Sequence, residues 1–163
     1  MRKRIIMGFI LGLLGLAGLY FLLVFVVFPA LSPRPDNLGV SANGQLAPCP
    51  SSPNCVSTQA TDKLHAIEPI AYGDLSTAQA REIILNILNN MERTEIITQR
   101  ADYIHAEVRS ALWRFVDDVE FYFDEDAGMI HFRSASRLGR GDMGVNRRRM
   151  EHIRSEFMAR RPA

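Results

Sequence analysis

The chain has 163 residues, 47% of them hydrophobic, with 19 Lys and Arg against 18 Asp and Glu for a formal net charge of +1. That length holds one ordinary domain, which typically takes about 100–150 residues, and little else. The near-neutral balance supplies no basic footprint of the kind nucleic acid requires, which argues against such a partner.

The apolar residues are concentrated at the start. Arg2, Lys3 and Arg4 precede an uncharged run from Ile5 to Phe28. As a helix rising about 1.5 Å per residue, the run covers about 36 Å, enough to cross a hydrocarbon layer about 30 Å thick with some tilt. A cleaved signal peptide would have a shorter apolar region, about 7–15 residues, followed by small residues. Here the run ends Val27-Phe28-Pro29, so residues 1–30 are expected to form a retained anchor that meets lipid through residues 5–28. Only Arg34 is basic between the run and residue 60. The charge bias therefore keeps the N-terminus cytoplasmic and puts the remainder in the periplasm or outside the cell, as a single-pass membrane protein. Gly8 and Gly12 form a G-x-x-x-G pair, a spacing that can bring two helices together but is also common in spans generally.

Residues 31–47 read as a linker stiffened by Pro33 and Pro35, and 48–163 as an extracytoplasmic domain. Within Pro48-Cys49-Pro50-Ser51-Ser52-Pro53-Asn54-Cys55 the prolines exclude helix and inner strand. In an oxidising compartment, Cys49 and Cys55 are expected to form a structural disulfide. A redox pair would more often be C-x-x-C, and no histidine lies near enough in sequence to complete a zinc set. Leu64 to Ala71 is predicted to be a short edge strand, held at the margin by Pro69.

Ser76 and Gln79 form a capping-box pattern ahead of a helix whose Ala80, Ile83, Ile84, Ile87, Leu88 and Met91 share one face. Four strands follow: Glu95 to Gln99, Tyr103 to Arg109, Phe115 to Phe123 and Met129 to Ser136. A last helix starts near Asn146 and buries Met150, Ile153 and Phe157. The expected fold is α+β, a four-stranded antiparallel meander with helices on one face. Turning both apolar faces inward pairs Phe123 with Ile130 and Phe121 with Phe132, and sets Glu120 opposite Arg133 on the outer face.

Several residues carry possible chemistry. Gly139-Arg140-Gly141-Asp142-Met143-Gly144 spells G-x-G-x-x-G, but the following parallel strand and acidic residue of a dinucleotide fold are missing. A helix start there could still hold an anion, with Arg137, Arg147 and Arg149 nearby. His105 and His131 fall on the outer face near Glu107, Asp118 and Glu120, where cross-strand pairing on a solvated face is a more ordinary role than metal binding. Asp117 interrupts the inner apolar face and needs a partner, for which Ser136 or Arg137 is expected. Ser134 and Ser136 lack the elbow of a serine hydrolase. No cofactor and no metal are expected.

Three blocks together resemble a known family. They are Pro48-Cys49-Pro50-x-x-Pro53-Asn54-Cys55-Val56-Ser57, Phe115-Val116-Asp117-Asp118-Val119-Glu120-Phe121, and Arg133-Ser134-Ala135-Ser136-Arg137 continuing to Asp142, Asn146, Arg147, Arg149 and Glu151. Their order and spacing over about residues 46–160 are similar to domain of unknown function 1499. That resemblance implies a small, often membrane-attached domain of bacteria and plastids with no assigned reaction. It marks Cys49, Cys55, Asp117, Asp118, Glu120, Arg133, Ser134, Ser136, Arg137, Asp142, Asn146 and Arg147. Without a recognisable acid, base and nucleophile together, the expected role is binding rather than catalysis. The Arg137–Arg147 loop would engage an acidic protein segment or an anionic ligand, with Arg133, Ser134, Ser136, Asp142 and Asn146 in attendance. The alternative is an enzyme on a phosphate-ester-like substrate, with Asp117 as base and Arg137 and Arg147 as the anion clamp.

Overall fold

A computed structural model describes Arg2 to Arg161; Met1, Pro162 and Ala163, the outer ends of the expected segments, lie outside the described residues. The first element is a continuous helix, α1 (Arg2–Leu31), long and apolar enough to cross a membrane. Its side chains are largely exposed, and only Val24 within it is buried. The turn Leu23–Val27 is π-helical, with the Phe28 N–H reaching the Leu23 carbonyl. Pro29 explains the widened turn, because it lacks a donor and its ring would crowd the carbonyl four residues back.

The domain is built from β1 (Cys55–Ser57), β2 (Ile70–Ala71), α2 (Thr77–Asn90), β3 (Thr94–Gln99), β4 (Tyr103–Arg109), β5 (Val116–Asp124), β6 (Met129–Ser136) and α3 (Val145–Arg160). Strands run in the order β1-β6-β5-β4-β3, with β2 also paired to β6, and every ladder is antiparallel. The sheet thus has six strands rather than four. Strand β1 follows the proline-dense loop, where three residues carry too little periodicity to read as a strand. The expected edge strand Leu64 to Ala71 contracts to Ile70–Ala71, because Asp62 and His65 close a turn over its first half.

The expected α+β architecture and register hold. Phe123 pairs with Ile130, Phe121 with Phe132, Glu120 with Arg133 and Asp117 with Ser136. Ser76 and Gln79 complete the capping box at the start of α2. Both α2 and α3 cover the inner face, where Ile84, Leu88, Met150, Ile153 and Phe157 close over Ile104, Val119, Phe121 and Phe132. Phe115 is a correction. It stands outside β5, remains exposed, and packs on Phe28 of α1 with ring centroids 5.0 Å apart. Arg114, at φ 54°, turns the chain out of the ladder just before it.

The outer face departs furthest from expectation. The segment after α1 does not stand off as a spacer but crosses this face, burying Leu46 and bonding into the sheet. Gly44, at φ 71°, lies on the Tyr122 ring so closely that an added Cβ would come 3.1 Å from the phenol oxygen. Tyr103, His105, Glu107, Asp118, Glu120 and Arg133 are consequently buried. The apolar core nonetheless lies on the inner face. Phe121→Ala should cost about 3–5 kcal/mol, read as a lowered denaturant midpoint for the full chain in detergent micelles.

Candidate functional site

The polar residues marked in the sequence divide between the two faces of the sheet. Strand parity decides this, since neighbours along a strand point oppositely. Asp117, Ser134 and Ser136 face the helices, whereas Asp118, Glu120, Arg133 and the guanidinium of Arg137 lie on the other side.

On the helix side, the fully buried Asn146 joins three segments. Its amide donates to the Asn54 carbonyl at 3.1 Å and to Ser136 Oγ at 2.9 Å, and its Oδ1 accepts from Ser134 Oγ at 2.5 Å. Arg149 Nη2 donates to Asp117 Oδ2 at 2.5 Å, and Nη1 to Ser134 Oγ at 3.0 Å. The partner of Asp117 is therefore Arg149 of α3, not Arg137 or Ser136. The choice follows from the fold, because α3 packs over the inner face and brings the Arg149 guanidinium to Asp117. Asn54 extends the network by donating to the Gly139 carbonyl at 2.7 Å.

The start of α3 already holds an anion, and it is the chain's own. Asp142 accepts from the Gly144 N–H at 2.9 Å and the Asn146 N–H at 2.8 Å. Burial pushes this carboxyl up, but those N–H groups outweigh it and hold it below its ordinary value. Gly144, the residue at the cap position, has no side chain to do this work. Arg147 donates to the Ala66 and Leu64 carbonyls at 2.9 and 3.0 Å, so it fastens a turn. The G-x-G-x-x-G stretch is thus a connection, with Arg140 and Met143 exposed.

The other face carries a denser set of charges. Arg137 bridges two buried carboxylates. Its Nη2 lies 2.6 Å from Glu107 Oε1 and 2.7 Å from Asp118 Oδ1, while Nε donates to Asp118 Oδ2 at 2.8 Å. His105 Nε2 is 2.8 Å from Asp118 Oδ1. Arg34, from the crossing segment, donates to Glu107 Oε1 at 2.6 Å through Nη2, and Arg109 joins Glu107 to Glu95 at 2.8 Å each. Nearby, Glu120 accepts from Tyr103 Oη at 2.7 Å, the Gly39 N–H at 2.8 Å and Arg133 Nη1 at 3.1 Å. Burial raises the Asp118 carboxyl, yet Arg137 and His105 override it and leave it below the ordinary range. Glu107 is lowered in the same way by Arg137 and Arg34 against burial. Tyr103 is pushed well up by burial and by the charge of Glu120. His131 sits apart, beside Thr58 and stacked on Tyr122, and burial lowers its pKa. Among the described residues no group of three or more His, Cys, Asp and Glu side chains converges as a metal site.

Asp117 and the arginines 137 and 147 therefore occupy different places, on different partners, and do not share a cleft. Cys49 and Cys55 are joined in a disulfide, with their Cα atoms 5.7 Å apart.

An open concavity lies where the charged face meets α1. It has a volume of about 480 Å³. Arg34, Arg109, Arg114 and Arg137 line it together with the single carboxylate of Glu107. Phe25, Phe28 and Phe115 form its apolar wall. Arg114 has no carboxylate partner among the described residues. The Ser32 hydroxyl, on a residue only 7% exposed, also lines the space and has no hydrogen-bond partner among the described residues. Sequence reading missed Ser32, Arg34, Arg109 and Arg114, although Arg34 was visible as the lone basic residue in a proline-rich stretch.

The lowered carboxyls set a pH dependence. Because Glu107 and Asp118 have folded values below their ordinary 4.5 and 3.8, their stabilisation is complete above those values and lost as pH falls through the folded ones. The denaturant midpoint should hold steady near neutrality and drop below about pH 4, and Asp118→Asn should flatten that drop.

No curated protein and no solved structure matches the chain. The family described as a protein of unknown function, DUF1499, matches residues 45–157. The match spans both polar networks from Asn54 to Arg149 but ends short of α1 and Arg34. The chain belongs to the DUF1499 family.

Proposed function

We propose that this chain is a membrane-anchored, extracytoplasmic binding module whose ligand is an anionic group, phosphate or carboxylate, held in the concavity between α1 and the sheet. The observation that carries this reading is the imbalance of that space: four arginines against one carboxylate, plus the unpartnered Ser32 hydroxyl. Arg137 is largely spent on Asp118 and Glu107 and sets the back wall. Arg114 has no such partner and Arg34 is half exposed, so these two are available to an incoming anion. A guanidinium suits this role because its planar fork matches two oxygens at once. The aromatic wall favours an anion attached to an apolar body.

The basic Arg2-Lys3-Arg4 tip and the uncharged α1 support a span with the N-terminus cytoplasmic. An oxidising compartment is also consistent with the Cys49–Cys55 disulfide. The domain then stands beside the outer leaflet, and its ligand comes either from a lipid headgroup or from a soluble anion. The same Arg137 named from the sequence takes part as the back wall, but the arginines that meet the anion are Arg34 and Arg114 rather than Arg147.

Native mass spectrometry of the full chain tests this with an anionic phospholipid, a zwitterionic one, inorganic phosphate and an acidic peptide as separate probes. Retention of the anionic lipid, weakened about five-fold by Arg114→Ala, is the expected result, corresponding to about 1 kcal/mol per charge near a membrane surface. Phosphate retained without lipid preference would assign the soluble source. Equal retention of both lipids unaffected by the variant, or capture of the acidic peptide alone, would overturn the reading.

A further inference from the structure

We infer that the loop between β4 and β5, residues 110–115, is a second membrane contact that seats Leu112 and Trp113 in the same leaflet α1 leaves. The inference rests on α1 spanning the bilayer with the domain outside. Its own observations concern the loop.

Leu112 is 59% and Trp113 40% exposed, in a chain whose other domain aromatics largely enter the core. Both sit against α1. The Trp113 ring centroid is 5.8 Å from that of Tyr20 and 6.1 Å from that of Phe28, so the indole stands beside the helix between these two positions. Starting the hydrocarbon at Ile5, just past the basic tip, a layer about 30 Å thick takes about 20 residues and ends near Val24. Trp113 thus falls at the boundary of hydrocarbon and headgroups, the level where tryptophan and tyrosine concentrate.

Part of the loop's backbone is paired within the protein. Irregular backbone tolerates lipid only if its polar groups are satisfied within the protein. Tyr20 Oη donates to the Leu112 carbonyl at 2.7 Å. The Ser110 N–H donates to the Phe115 carbonyl at 2.9 Å, and the Phe115 N–H to Ser110 Oγ at 2.9 Å. Arg114 follows Trp113 at φ 54°, a turn that sets a guanidinium beside the concavity, at headgroup height. The loop packs on α1, which supplies its aromatic neighbours. Its occupant is therefore the bilayer that already surrounds α1.

Trp113 is the single tryptophan of the chain, so its fluorescence reports this loop alone. The full chain is reconstituted into vesicles of anionic and zwitterionic phospholipid, with a fraction brominated either high on the acyl chains or near their ends. Insertion of α1 is read separately, by resistance to alkaline extraction and by protease access to the domain. The expected result is blue-shifted emission, shielding from a soluble quencher, and stronger quenching by the high bromines than by the deep ones. Leu112→Asp should reduce bromine quenching about twofold or more while leaving extraction resistance unchanged, because a carboxylate is costly at that depth. Inserted α1 with an unquenched, solvent-accessible Trp113 would overturn the loop contact alone. Extractable protein would overturn both it and the spanning reading. Quenching unchanged by Leu112→Asp would also contradict it.

Discussion

One guanidinium, that of Arg137, held between the buried carboxylates of Glu107 and Asp118, is the contact on which the rest of this architecture depends. Burying two carboxylates on a sheet face is costly unless each is paired and hydrogen-bonded. Arg137 serves both, and His105 and Arg34 supply further donors. The face cannot remain dry without a cover, and the stretch leaving α1 supplies it. It brings Arg34 to Glu107 and the Gly39 N–H to Glu120. The consequence is geometric: α1 and the sheet are fastened together, and the space between them acquires a definite shape.

Sorting the arginines by partner separates structure from available chemistry. Arg137, Arg147 and Arg149 are each spent on protein acceptors, and Arg133 donates to Glu120 while its buried Nε has no partner among the described residues. They join β4, β5, β6 and α3 to one another, and α3 to the turn at residues 64–66, about 80 residues earlier in the chain. A block of conspicuous polar residues can thus be the stitching of a small domain. Arg114, without a carboxylate partner among the described residues, lies at its margin beside the half-exposed Arg34 in its pair with Glu107, and there the concavity opens. Asp142 makes the same point for anions, since it fills the helix start that a phosphate would otherwise find.

Much of the fold was legible because its signals are local. The capping box at Ser76 and Gln79, the alternation through Phe121 and Phe132, and the helical spacing of Met150, Ile153 and Phe157 each depend only on neighbours in sequence. Parity then fixed which residues face one another, down to Glu120 with Arg133. What was not legible depends on distant chain. Nothing within β4 or β5 reveals that residues 34–46 cross their outer face, so Glu107, Asp118 and Glu120 read as solvated. Asp117 was correctly singled out as needing a partner, but only the packing of α3 identifies Arg149. Phe115 shares the parity of Val119 and Phe121 and was placed with them; the positive φ of Arg114 removes it from the ladder.

A double-mutant cycle between Arg137 and Asp118 tests the central claim most directly, using Arg137→Gln, Asp118→Asn and the combination, each followed by denaturant unfolding of the full chain. If the pair is the buried clasp described above, the two substitutions will be strongly non-additive, with a coupling of more than about 1 kcal/mol. Additivity within about 0.3 kcal/mol, the behaviour of independent sites, would contradict it.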